Sequence, residues 1–163
     1  EEKLGIVVLS NSDQNVFYEA LKLEVIDAYL NLPYRNYSQL YYKYIKSNKE
    51  KETNLINAWR DSTMMKIKPP FELEGYCGKY TNTAYGYINI VKEKTKLIMS
   101  FEHHAKLKGK LEYIGNNRFL CTYNDPCFGI KVIPFRTENN KIKSFALFVA
   151  DFVEFTTYEF EKN

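Results

Sequence analysis

Cysteine and histidine are scarce in this chain, which has only Cys77, Cys121, Cys127, His103 and His104. No cysteine stands in a Cys-x-x-Cys pair, so the sequence offers no structural zinc site. An odd count leaves at least one thiol unpaired within the chain, although Cys121 and Cys127 flank an expected turn and are placed to come close. The count does not fix the redox compartment. No run of about 18 apolar residues occurs, which excludes a membrane-spanning helix. The opening Glu-Glu-Lys leads at once into an apolar run without a signal-peptide layout, and it reads as a cut inside a longer chain. Charge of one sign is also lacking. The net charge is +3 and the lysines are dispersed, so no basic stripe invites a nucleic acid.

The motifs of nucleophilic catalysis are missing too. No serine has a lysine three residues on; Ser47, for instance, is followed by Glu50. Lys94-Thr95-Lys96 lacks the glycine of a Lys-Thr-Gly strand. Tyr-x-Asn occurs at Tyr34, Tyr80 and Tyr87, as expected by chance where tyrosine and asparagine abound. There is no Gly-x-Ser-x-Gly elbow and no phosphate-cradling glycine loop. The expectation is a chain with no catalytic residue, no metal site and no cofactor.

What the chain does have is aromatic residues: 14 Tyr and 11 Phe in 163 residues, within a composition 45% hydrophobic and 26% charged. That balance makes a globular protein, and the rings favour half-buried pleated surfaces. Leu4–Leu9 is a continuous apolar run suited to a strand buried on both faces. Four candidate caps, Ser10 to Asp13, then introduce a helical pattern that ends before Pro33. A second helical start at Ser38 carries a stripe through Tyr41, Ile45, Leu55 and Trp59. Its polar middle, Lys46 to Glu52, predicts a solvated stretch of one long helix or a break between two.

Pro69-Pro70 marks a boundary, because two prolines remove two donors and force an extended path. Beyond it the apolar period changes to two. Leu107, Gly109, Leu111 and Tyr113 alternate with Lys108, Lys110 and Glu112. Turn signals at Lys94-Thr95, Gly115-Asn116-Asn117, Asn124-Asp125-Pro126 and Glu138-Asn139-Asn140 separate about eight such segments, roughly ten residues apart. The last two are Ile142 to Val149 and Val153 to Phe160. This spacing predicts a meandering barrel or sandwich, and closure would remove edges that an aromatic sheet should not expose. The fold class is therefore mainly β (α+β overall): an N-terminal strand and helices, then an antiparallel, roughly eight-stranded lipocalin-like β-barrel. The divisions are 1–35, a terminal strand and helix; 36–70, a helical linker; and 71–163, the barrel.

His103 and His104 are neighbours, so on a strand they point to opposite faces and do not chelate one metal together. A turn or rim position accounts for them, and one lining a pocket beside a strand tyrosine is the sharper reading. Tyr76, Gly78, Tyr80, Tyr85 and Gly86 form a cluster in which glycines permit tight turning and tyrosines cover the barrel end, or stack on a ligand. Candidate ligand-binding residues are Tyr80, Tyr85, Tyr87 and His104.

The run from Gly5 to Asp13 resembles the last core strand and helix entry of class C β-lactamase-like serine hydrolases, a group with penicillin-binding-protein-like and esterase-like members. Leu32-Pro33 resembles the end of their C-terminal helix. Tyr76-Cys77-Gly78-Lys79-Tyr80, Tyr85-Gly86 and the later Leu97, Phe119 and Phe135 resemble the small domain of unknown function often appended to them, itself similar to a lipocalin-like barrel. The resemblance implies a C-terminal fragment whose catalytic residues would lie upstream of Glu1, and a periplasmic or extracytoplasmic location. It implies a non-catalytic accessory domain that stabilises or positions the upstream hydrolase domain, or shapes substrate access. The alternatives are a small-ligand-binding barrel and a homo-association module, dimeric through the N-terminal strand.

Overall fold

The computed structural model of the protein describes residues 3–11, 15–148 and 156–163. It divides into two compact units, Glu1–Leu55 and Ile56–Asn163. No helix among the described residues is long and apolar enough to cross a membrane.

The first unit contains helix α1 (Phe17–Tyr29) and most of helix α2 (Tyr37–Met64), within which the two units divide. Asn15 Oδ1 accepts from Phe17 N at 3.1 Å at the start of α1, satisfying one of its orphan donors. Of the expected caps, Ser12 and Asp13 lie outside the described residues. Asn31, with φ 53°, turns the chain out of α1 two residues before Pro33. The start of α2 is capped by Asn36 rather than Ser38, since Asn36 Oδ1 accepts from Gln39 N at 3.1 Å. The helix is then continuous to Met64, and residues 46–55 are exposed throughout. Thus the polar middle of the stripe is a wet helix rather than a break. Asp27, one of two buried residues of α1, accepts from the Tyr37 hydroxyl at 2.9 Å, which raises the tyrosine's pKa.

Leu4–Leu9 is not a strand in this chain. Val7 and Leu9 are 83% and 90% exposed. An apolar sequence favours a strand only where neighbours accept and donate along both edges, and among the described residues no strand pairs with this segment.

The second unit is a closed barrel of eight antiparallel strands, each bonded to the next and the last to the first. They are β1 (Gly78–Asn82), β2 (Gly86–Glu93), β3 (Lys96–Phe101), β4 (His104–Gly115), β5 (Arg118–Tyr123), β6 (Ile130–Glu138), β7 (Lys141–Phe148) and β8 (Thr157–Lys162). Val153 to Phe155, at the head of the last expected strand, lie outside the described residues. The tight turns follow their sequences. Asn116, Asn117, Asn139 and Asn140 all have φ between 49° and 58°, the pair of left-handed residues that a two-residue type I′ hairpin requires. Closure is made by Tyr80 opposite Lys162 and Thr81 opposite Glu161, and it is reinforced by Asn163 N on Lys79 O at 3.0 Å.

A one-turn helix α3 (Leu73–Tyr76) sits where the chain enters the barrel. Tyr76 turns into the barrel there and is fully buried. Its ring lies 4.9 Å from Phe119 and 5.2 Å from Phe135, and Phe145 stands 4.9 Å from Tyr80 and 5.4 Å from Phe160. Each such ring pair adds about 0.5–1.5 kcal/mol beyond its buried area. This half of the barrel is therefore a packed core and offers no lumen.

Candidate functional site

The opposite end of the barrel is built differently. The β1–β2 turn, the β3–β4 turn and the β5–β6 connection all arrive there, because successive antiparallel strands return to the same end every second turn. Between them lies a cavity of about 100 Å³. Ile88, Leu107, Leu147 and Phe160 supply its inner wall, each 7% exposed or less. Four rings, Tyr85, Phe101, Tyr123 and Phe128, line its sides. Glu102, His103 and His104 form its polar rim, all classed as exposed.

Each ring is placed by a local device. Phe101 continues the inward alternation of Leu97 and Met99, and Tyr123 that of Phe119 and Cys121. The two rings are 6.0 Å apart. Phe128 sits on a short 3-10 turn, Pro126–Phe128, where Asp125 Oδ1 accepts from Cys127 N at 2.9 Å. That connection is tied to β4 by Asn124, which accepts from Lys108 N at 2.8 Å and donates to Lys106 O at 2.9 Å. Phe128 is thus held 5.7 Å from Tyr123 and 6.2 Å from His104. Tyr85 leans on Tyr158 at 4.7 Å.

The rim carboxylate is also fixed. Glu102 Oε2 accepts from Tyr87 N at 2.9 Å and lies 3.7 Å from His103 Nε2. Gly86 makes this possible. Its φ is 69°, and a β-carbon there would collide with Glu102 Oε2 and stand 2.9 Å from His103 Nε2.

The structure brings Tyr85 and His104 together at this cavity and leaves out Tyr80 and Tyr87. Tyr80 is fully buried and its hydroxyl donates to Tyr76 O at 2.8 Å. Tyr87 lies on the outer face of β2 beneath Lys79, whose Nζ is 3.7 Å from the ring centre. Phe101, Tyr123, Phe128 and Glu102 escaped the sequence reading. The alternation of β3 and β5, carried to the strand end nearest the two histidines, was the signal for the first two.

The buried groups near the cavity are unsuited to acid–base or nucleophilic work at neutral pH. Burial pushes the Cys121 thiol up to about 12 and the Tyr123 hydroxyl higher still, so neither ionises there. Cys77, Cys121 and Cys127 form no disulfide; Cys121 lies inside the barrel and Cys127 is exposed. Among the described residues no three His, Cys, Asp or Glu side chains gather as a metal-holding group.

These features define an up-and-down β-barrel, packed solid at one end and hollow at the other. The chain belongs to the family described as Domain of unknown function (DUF3471), which covers residues 63–162, the whole of the barrel. No curated protein and no solved structure matches it.

Proposed function

We propose that the barrel is a non-catalytic accessory domain of a β-lactamase-like serine hydrolase, and that it stabilises or positions the hydrolase core or shapes access to it. The resemblance of residues 5–13 to the last strand of such a core, and of the barrel's Tyr76–Tyr80 and Tyr85-Gly86 motifs to the small domain appended to it, supports this reading. The observation that carries the reading is the apolar surface of the first unit. Val7, Leu9, Phe17, Tyr34, Tyr42 and Tyr44 are 58% to 90% exposed. Covering one such side chain yields about 1.5–3 kcal/mol, so a partner that covers several of them gains by docking here. An upstream core domain is the partner this reading supplies, in a periplasmic or extracytoplasmic setting. The full chain alone is expected to leave nitrocefin and p-nitrophenyl acetate unhydrolysed above the buffer rate. Hydrolysis that co-elutes with the protein through two chromatographic steps would overturn the non-catalytic role.

A further inference from the structure

We propose that the cavity ringed by Tyr85, Phe101, Tyr123 and Phe128 binds one monocyclic aromatic small molecule bearing an amine or hydroxyl donor, with the ring inside and the donor at Glu102. This goes beyond the accessory role, since a barrel that only positions a neighbour needs no such site.

Volume sets the ligand's size. At about 100 Å³ the cavity is far below the roughly 300–1,000 Å³ that encloses a drug-sized ligand. It is comparable with the engineered apolar cavities, about 150 Å³, that take up benzene. Water fits the space poorly, because each buried water needs about two to four polar partners. Below the rim the wall is Ile88, Leu107, Leu147 and Phe160, and the Tyr123 hydroxyl is engaged with Cys121. The surrounding rings are tilted rather than stacked, 37° between Phe101 and Tyr123 and 48° between Tyr123 and Phe128. They present both edges and faces to a guest ring.

Charge sets the substituent. Among the described residues Glu102 is the only acidic residue lining the cavity, and no lysine or arginine lines it; His103 and His104 complete the rim. Glu102 is anchored by Tyr87 N and given room by Gly86, so it meets a ligand without first being ordered. A donor or ammonium at the mouth gains a charge-assisted hydrogen bond, whereas a carboxylate there faces a like charge.

The test is an NMR titration of the full chain with benzylamine, toluene and benzoate, read at the methyl resonances of Leu107 and Leu147. Benzylamine is expected to give saturable shifts at both leucines. It should bind about three- to fivefold tighter than benzoate, the factor that one partly exposed charge contact supplies. Leu147→Phe, which fills the cavity, should abolish the shifts for all three probes. Glu102→Gln keeps the acceptor for Tyr87 N and should erase the preference for benzylamine over benzoate while leaving toluene binding unchanged. This second variant carries the test if Leu147→Phe does not fold. The proposal is overturned if no probe gives a saturable shift at millimolar concentration. It is also overturned if benzylamine and benzoate bind equally to the unsubstituted chain, or if the shifts fall on residues away from the cavity.

Discussion

Gly109→Ala places two opposing effects on one atom. Gly109 lies on β4 opposite Met99 and Tyr123, facing into the barrel. Its φ is not in the left-handed region, so alanine is allowed by the backbone. On entropy alone the change should stabilise by about 0.4–1 kcal/mol. The packing argues the other way. A β-carbon there would sit 2.5 Å from the Cys121 sulfur, with Met99 Cβ and Tyr123 Cε1 each at 3.6 Å. Cys121 is fully buried within the core cluster. Overpacking of this kind costs about 1–3 kcal/mol and outweighs the entropy gain, so the net loss is about 1–2 kcal/mol. For a domain of roughly 100 residues that lowers Tm by about 5–15 °C. Thermal melts followed by near-ultraviolet circular dichroism, to which the packed tyrosines contribute, report the barrel. Cys121→Ala removes the clashing sulfur. The double variant should therefore be more stable than the sum of the single changes predicts, by about 1 kcal/mol. A Gly109→Ala chain that melts at or above the parent, or strict additivity with Cys121→Ala, would refute the claim that this glycine exists to admit the thiol.

Alkaline pH should unfold the barrel early. Burial raises Tyr76 and Cys121 to about 12 and raises Tyr80 and Tyr123 as well, whereas the unfolded chain releases these protons near the ordinary 9.0 for a thiol and 10.0 for a phenol. The folded form then holds more protons, so stability is fully present below pH 9.0 and declines toward about 12; a Tm constant up to pH 11, about two units above the ordinary thiol value, would contradict this. The exposed Leu4–Leu9 segment should pair with a second copy when no core covers it. Light scattering is expected to find a dimer for the full chain and a monomer after deletion of residues 1–11, and a dimer that survives the deletion would show that the contact lies elsewhere.

The barrel was legible because each of its devices is local. The period-two alternation marks strand faces, and the Asn-Asn and Gly-Asn-Asn strings mark hairpins, so even the strand limits move by only a few residues between sequence and structure. The dry half of the barrel was less legible, because Tyr80 and Tyr87 share a strand pair yet only one faces inward. Parity decides this, and parity depends on a register that only the assembled sheet sets. The N-terminal run misled for the complementary reason. Leu4–Leu9 has the composition of a central strand, but strand formation needs neighbours that this chain does not place beside it. Two residues of the cavity lining, Glu102 and Phe128, sit in connections whose geometry comes from side-chain hydrogen bonds to distant backbone, which no periodicity encodes.

Whether this chain serves a β-lactamase-like hydrolase is tested most directly by the coding sequence immediately upstream of Glu1. The expected result is a continuous reading frame that encodes Ser-x-x-Lys at the start of a helical pattern, followed by a Tyr-x-Asn loop and a Lys-Thr-Gly-like strand before Leu4. A frame that continues upstream without these motifs, or into a sequence of a different fold class, would contradict it.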